Sequence, residues 1–142
     1  MIDAVEALIA LALTDPGLQE QVGDRVALRQ KFGKEPGDWP AASKALTLRW
    51  DGGEPDLYIE VQNPRVEVRC YGQTFYEAGQ VYRALVAWTR ALDRRAVQTS
   101  QGQALVFFAL MGSAPSMFVD PDTSGEVMLA FLECSVAEPA ID

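Results

Sequence analysis

Asn63-Pro64-Arg65-Val66-Glu67-Val68-Arg69-Cys70-Tyr71-Gly72-Gln73-Thr74-Phe75-Tyr76-Glu77 is the stretch from which the fold is read. Arg65 to Tyr71 alternates. Val66, Val68 and Cys70 share one face, and Arg65, Glu67, Arg69 and Tyr71 share the other, which is the period of a half-covered strand. Asn63-Pro64 reads as a turn before this strand, and Gly72 breaks it. Thr74 with Glu77 forms a capping box, in which the threonine hydroxyl accepts from the Glu77 amide while the carboxylate returns to the Thr74 amide. Beyond the box, Ala78, Val81, Tyr82, Leu85, Trp88, Thr89 and Leu92 recur three and four apart, marking the apolar face of a long helix. Arg90, Arg94 and Arg95 crowd its C-terminal end, where positive charge suits the helix dipole. A strand feeding a helix with so little slack predicts a helix lying across the sheet.

Upstream, Ile2, Val5, Leu8, Ile9 and Ala12 predict a first amphipathic helix, with Asp3 and Glu6 in its first turn. Asp15-Pro16 reads as an N-cap with proline at the first helical position, and Gly23 as the residue ending a second short helix. Arg25 to Gln30 is extended, with Val26 and Leu28 on one face. Lys31 to Ser43 has no period and reads as a long loop, a length that in a small domain usually serves function. Phe32 and Trp39 in this loop either fold back onto their own domain or serve as anchors for a partner.

A meander is predicted next: Lys44–Trp50, Leu57–Val61 and Arg65–Tyr71, with Asp51 to Pro55 as a turn and the middle piece possible as a strand-like loop. After the long helix, Ala96 to Gly102 is polar connection. Gln103–Met111 and Glu126–Val136 are strands joined through the turn Asp120 to Gly125, closing as a C-terminal hairpin. Both are apolar on two faces, with Leu105 and Phe107 on one side of the first. Helices cover only one face of a small antiparallel sheet. The second face is therefore expected to meet neighbouring subunits, or else a layer of loops from the same chain. The fold class that follows is α+β. It has a mostly antiparallel sheet, an N-terminal helix and one long central helix on one face, within a single domain spanning residues 1–142.

The formal charge of -8 argues against a grip on nucleic acid or on an anionic membrane, both of which need clustered Lys and Arg. The run from Ile2 to Leu13 is too short to span a bilayer and carries Asp3 and Glu6 where a signal peptide carries basic residues. Cys70 and Cys134 read as buried thiols of a reducing compartment. There are no histidines, which removes His-containing triads and the commonest general base. Asp120, Asp122 and Ser124 imitate the first half of a calcium loop, but Phe131 stands where its bidentate Glu belongs, so the segment reads as a polar turn. The chain reads as a non-enzyme with no cofactor, metal or catalytic residue. Its candidate functional residues belong to surfaces: Phe32 and Trp39, the charged stripe Arg65, Glu67, Arg69 and Tyr71, and Leu105 and Phe107. The stripe is read as self-paired and solvated, or as an intersubunit patch built on Arg–carboxylate pairs.

The order of features resembles the tail terminator, or tail completion, proteins of long-tailed siphovirus-like phages. These include the minor tail proteins that cap lambda-like tails and their relatives in gene transfer agents. Three stretches carry the resemblance: the apolar helix leading into Asp15-Pro16-Gly17-Leu18 and Val22 to Val26, the loop closing at Trp39-Pro40 before Leu46-Thr47-Leu48, and Pro64 to Gly72 followed by Thr74 and Glu77-Ala78. They span the first two thirds of the chain. The last third matches only as a long hairpin. The resemblance implies a virion subunit that forms a hexameric ring at the head-proximal end of the tail tube. Such a ring stops tube polymerisation and offers a joining surface to the head connector. Its implied partners are further copies of itself, the tail-tube protein and head–tail connector proteins. Six chains at -8 each would let DNA pass through a central hole without adhering. A head-closure or connector adaptor of the same particle is the neighbouring reading. A monomeric binding module outside any virion is the more distant one.

Overall fold

The computed structural model describes residues 2–55, 61–112, 114–121 and 125–138, the first of these segments by backbone alone over residues 53–55. The fold is mixed α+β. Helices α1 (Ala4–Ala12) and α2 (Pro16–Val22) precede strands β1 (Val26–Ala27), β2 (Ala45–Pro55) and β3 (Val61–Gly72). Helix α3 (Phe75–Ala91) follows, and then β4 (Arg95–Thr99), β5 (Gly102–Met111), β6 (Ser116–Val119) and β7 (Glu126–Ala137). The strands form one sheet in the order β1-β2-β3-β7-β5-β4, antiparallel except for the β1–β2 pair. β6 also lies on β7, so β7 gives one margin to β5 through its C-terminal half and to β6 through its N-terminal half.

The helices start where the caps place them. The Asp3 carboxylate accepts from the amides of Val5 and Glu6, Asp15 accepts from Leu18, and the Thr74 hydroxyl accepts from Glu77. All three helices cover one face of the sheet. Val5, Leu8, Leu18, Val81, Leu85 and Trp88 from the helices bury against Leu46, Leu48, Val66, Val68, Val106 and Leu132. Each such side chain contributes about 1.5–3 kcal/mol when removed from water. The Glu6 carboxylate ties α1 to the β4–β5 turn, accepting from the Ser100 amide at 2.7 Å and its hydroxyl at 2.9 Å.

Gly72 is required where β3 hands over to α3. A Cβ there would lie 2.6 Å from the Ala78 amide nitrogen and 2.7 Å from the Glu77 Cβ, and neither atom is free to move aside. Gly72→Ala is expected to destabilise the fold by about 1–3 kcal/mol, in the range of overpacked sites. A thermal melt showing an unchanged midpoint would contradict this.

Several expectations need correction. Asn63-Pro64 is no turn but part of β3, and Gly53 to Pro55 belong to β2, so the proposed meander is one long β2–β3 hairpin. The register shifts between Trp50 and Gly53, where Gly52 at φ 93 absorbs the extra residue as a bulge. Asn63 and Pro64 lie between the β3–β7 pairs Gln62–Val136 and Arg65–Glu133 and have no partner on β7, so the ladder opens at the proline and resumes beyond it in the same register. Most of the middle piece, Leu57 to Glu60, falls outside the described residues. The connection after α3 holds a strand, β4, whose polar residues suit an edge. α3 ends at Ala91, so Arg90 alone of the three arginines stands in its last turn. Arg94 takes φ 47, and Arg95 opens β4. β1 holds only Val26 and Ala27, and Leu28 is exposed instead of sharing the buried face of Val26.

Cys70 and Cys134 lie on neighbouring strands, yet they are not near each other. Cys70 stands opposite Met128, which leaves Cys134 about 20 Å further along β7 at roughly 3.3 Å per residue. A bond between them is therefore excluded by register. Both are buried, and burial pushes the Cys134 thiol up to about 12 and raises the Cys70 thiol as well. Such thiols stay protonated and unreactive. Asp120 donates its amide to the Gly125 carbonyl at 2.9 Å, closing the turn from β6 to β7, while Asp122 to Ser124 fall outside the described residues.

The candidate assembly surface on the open sheet face

No described helix covers the second face of the sheet. The register places Thr47 and Arg49 of β2, Glu67 and Arg69 of β3, and Leu129 and Phe131 of β7 on this face together. Leu105, Phe108 and Leu110 of β5 and Phe118 of β6 extend it. Every β3 member of this set is an odd-numbered residue, as the alternation requires, and directly paired residues of antiparallel strands share a face.

One end of the face is roofed by the long loop. Trp39 is 7% exposed and meets Phe32 edge to face at a centroid distance of 5.4 Å, and Phe32 meets Tyr71 likewise at 5.4 Å. The loop is pinned by its own backbone: the Trp39 amide donates to the Lys31 carbonyl, and the Gly33 amide donates to the Trp39 carbonyl. Beneath it, Ala27, Ala45, Tyr71 and Val127 complete a second small core, with Phe118 against its rim. Phe32 and Trp39 therefore follow the fold-back alternative. An anchor for a partner must present its ring to water, and these rings are packed on the chain's own sheet.

Beyond the roof the face is charged and apolar at once. Glu67 is only 8% exposed, an unusual place for a carboxylate. Two arginines hold it there. Arg69 Nε donates to its Oε1 at 2.7 Å, and an Arg49 guanidinium nitrogen donates to Oε2 at 3.4 Å. The Arg69 guanidinium, which burial alone would push down, is held above its ordinary value by Glu67 and Tyr71. Burial raises the Tyr71 phenol, partly offset by Arg69 and Thr47. Arg69 also lies over the Phe118 ring at 5.5 Å, and Arg65 lies over the Phe131 ring at 4.2 Å while approaching Asp51 at 3.8 Å. The stripe is thus self-paired within the chain, and its guanidinium planes still have partly open outer faces.

Glu67→Gln keeps the shape and removes the charge that both arginines face. The expected loss of stability is about 1–2 kcal/mol. This is below the usual cost of breaking a buried pair, because the Arg49 side chain is half in water and screened. Urea midpoints of the two proteins at low salt measure it, and an unchanged midpoint would mean that Glu67 is solvated.

Leu105 and Phe107 are half-buried. Leu105 faces Ala137 across the β5–β7 ladder, whereas Phe107 sits at the register shift between Val106 and Phe108 and accepts from the Arg94 amide at 3.1 Å. The structure therefore gathers Arg65, Glu67, Arg69 and Leu105 on one face, with Tyr71 at its roofed end, and sets Phe107 apart in a bulge. Arg49, Phe118 and Phe131 are not among the surface residues that the sequence suggests. Arg49 could have been, since β2 alternates in phase with β3, but the pairing that brings Phe118 beside Arg69 has no local signal.

No protein-family model matches the chain, and no curated protein matches it either. Among solved structures, a chain of the "Virion of native gene transfer agent (GTA) particle" is similar over 92% of both chains, with a TM-score of 0.50 and 16% sequence identity. At that identity the likeness shows a shared fold.

Proposed function

We propose that this chain is a structural virion subunit that forms a hexameric ring at the head-proximal end of a phage-like tail tube. The ring ends tube polymerisation there and gives the head connector a surface to join. The observation that carries the reading is the sheet itself. One face is packed under three helices, and the other keeps stacked arginines, aromatic rings and aliphatic side chains that, among the described residues, the chain roofs at its Phe32–Trp39 end. A surface mixing apolar and Arg–carboxylate contacts suits assembly between subunits. Support comes also from the shared fold with a chain of a gene transfer agent virion over nearly its whole length. The charge of -8 per chain suits a ring through which DNA slides without holding.

A pull-down with the tail-tube protein and, separately, with the portal-side connector protein tests this reading. Capture of the tube protein, with or without the connector, is expected. Capture of the connector alone would reassign the chain as a head-closure adaptor. A chain that captures neither and never self-associates would be a binding module outside the particle.

A further inference from the structure

Among the described residues, one margin of the sheet is open over most of its length. β5 and β6 lie end to end along the same side of β7, and β4 pairs with β5 only from Gly102 to Val106. Past the hydrogen bond from the Arg94 amide to the Phe107 carbonyl, the outer margin of β5 and β6 meets no described strand. On it Phe108, Leu110, Met117 and Val119 are 41%, 58%, 60% and 57% exposed. They do not share a face. Phe108 and Leu110 stand opposite Ser135 and Glu133 on the open face, and Met117 and Val119 opposite Met128 and Glu126 on the helix face. Apolar exposure on both faces of one edge calls for a strand beside it, not a layer above it.

Sheet edges are usually guarded by charge. β2 beyond β1 carries Arg49 and Asp51 and bulges at Gly52, and β4 carries Arg95 with Gln98 and Thr99. The β5–β6 edge has no such guard, since the chain holds no charged residue from Ala96 to Val119.

Hydrogen bonding decides which backbone groups this edge presents. The Gly112 amide donates to the Phe131 carbonyl, so Leu110 also turns its N–H and C=O to β7, while Ala109 and Met111 turn theirs outward. The bond from the Asp120 amide to the Gly125 carbonyl sets the same phase in β6, where Met117 and Val119 turn outward. These four positions are symmetric about Ala130 of β7. Met111 and Met117 stand opposite Leu132 and Met128, each two residues from it, and Ala109 and Val119 opposite Cys134 and Glu126, each four residues from it.

We propose that this edge pairs with the same edge of a second copy, antiparallel about a two-fold axis level with Ala130. The rotation that sets Met111 of one copy opposite Met117 of the other also sets Ala109 opposite Val119. The outward N–H and C=O groups of all four residues then meet in register, as in strand addition. Sliding by two residues either way leaves two of the four unmatched. Each face continues into its like: Leu110 meets Phe118 on the open face, and Gly112 and Ala114, both small, lie near the axis. Glu126 and Glu133 stand one strand in, about 14 Å from β7 of the second copy at three strand spacings, so screening weakens their repulsion. A two-fold contact closes on itself and gives a pair. It is separate from the ring reading, whose junctions lie on the open face.

Sedimentation velocity of the purified chain is expected to show a dimer. Leu110→Lys places a charge at an exposed edge position, and Met117→Pro removes an outward N–H that β7 does not use. Circular dichroism and melting points check that both variants fold, and Leu110→Lys carries the test if the proline variant does not. Each is expected to weaken dimerisation at least about tenfold, about 1.4 kcal/mol. Leu110→Cys and Phe118→Cys read the register. They face each other at a non-hydrogen-bonded pair, where Cα atoms approach to about 4.5 Å, within disulfide reach. Mild oxidation is expected to crosslink their equimolar mixture and neither variant alone, because like positions lie about 20 Å apart along the junction. A parent chain monomeric at millimolar concentration, or dimerisation unchanged by a folded Leu110→Lys, would overturn the pairing. So would crosslinks that form as readily in one cysteine variant alone as in the mixture.

Discussion

Leu85→Ala is expected to destabilise the chain by about 2–5 kcal/mol, the range for a large aliphatic side chain truncated in a closed core. Leu85 has no exposed surface and sits midway along α3 between Val81 and Trp88, on the face that meets β3, β5 and β7. Strands on one side and α2 on the other limit collapse into the space left behind. A domain of this size commonly holds about 5–15 kcal/mol in total, so the loss removes a large share of it. The denaturant midpoint should fall sharply with little change in slope, which separates lost stability from a changed unfolded state. A midpoint that barely moves would mean that α3 does not bury this face.

Trp39→Ala is expected to cost about 3 kcal/mol, at the low end for a buried indole. The sequence supports a different expectation, that the loop rings serve assembly and leave the fold alone. The structure changes the reasoning. Trp39 is the keystone of the roof over Tyr71 and Val127, and Phe32 reaches Tyr71 from beside it. Removing the indole opens the second small core to water and frees residues 31–43 from the sheet. Thermal melts and limited proteolysis of that segment measure both effects. Unchanged melting and unchanged cleavage would return the ring to the role of a dispensable anchor.

What was legible in the sequence follows local physics. The Thr74 cap, the α3 face from Ala78 to Thr89 and the alternation of Val66, Val68 and Cys70 are set by neighbours within a turn or a strand, and all are found. β4 was missed because an edge strand needs partners on one side only, and a polar segment such as Arg95–Thr99 carries no hydrophobic period. Asp51 to Pro55 and Asn63-Pro64 hold turn residues, yet pairing across β2 and β3 overrides them, with the strain taken up at the Gly52 bulge. The candidate surface was half legible. Alternation put Arg65, Glu67, Arg69 and Tyr71 on one face, but burial of Glu67 between Arg49 and Arg69 depends on the register of two strands. The fate of Phe32 and Trp39 depended on which way a loop of thirteen residues turned, and nothing local decides that.

The central claim is tested most directly by the lengths of tail tubes assembled in vitro from the tube protein, with and without this chain, read from electron micrographs. If the chain is a terminator, tubes stop growing at substoichiometric amounts of it, and each capped tube carries a ring at one end with an open centre. Tubes that grow to the same lengths with bare ends, at chain concentrations well above that of the tube ends, would contradict the claim.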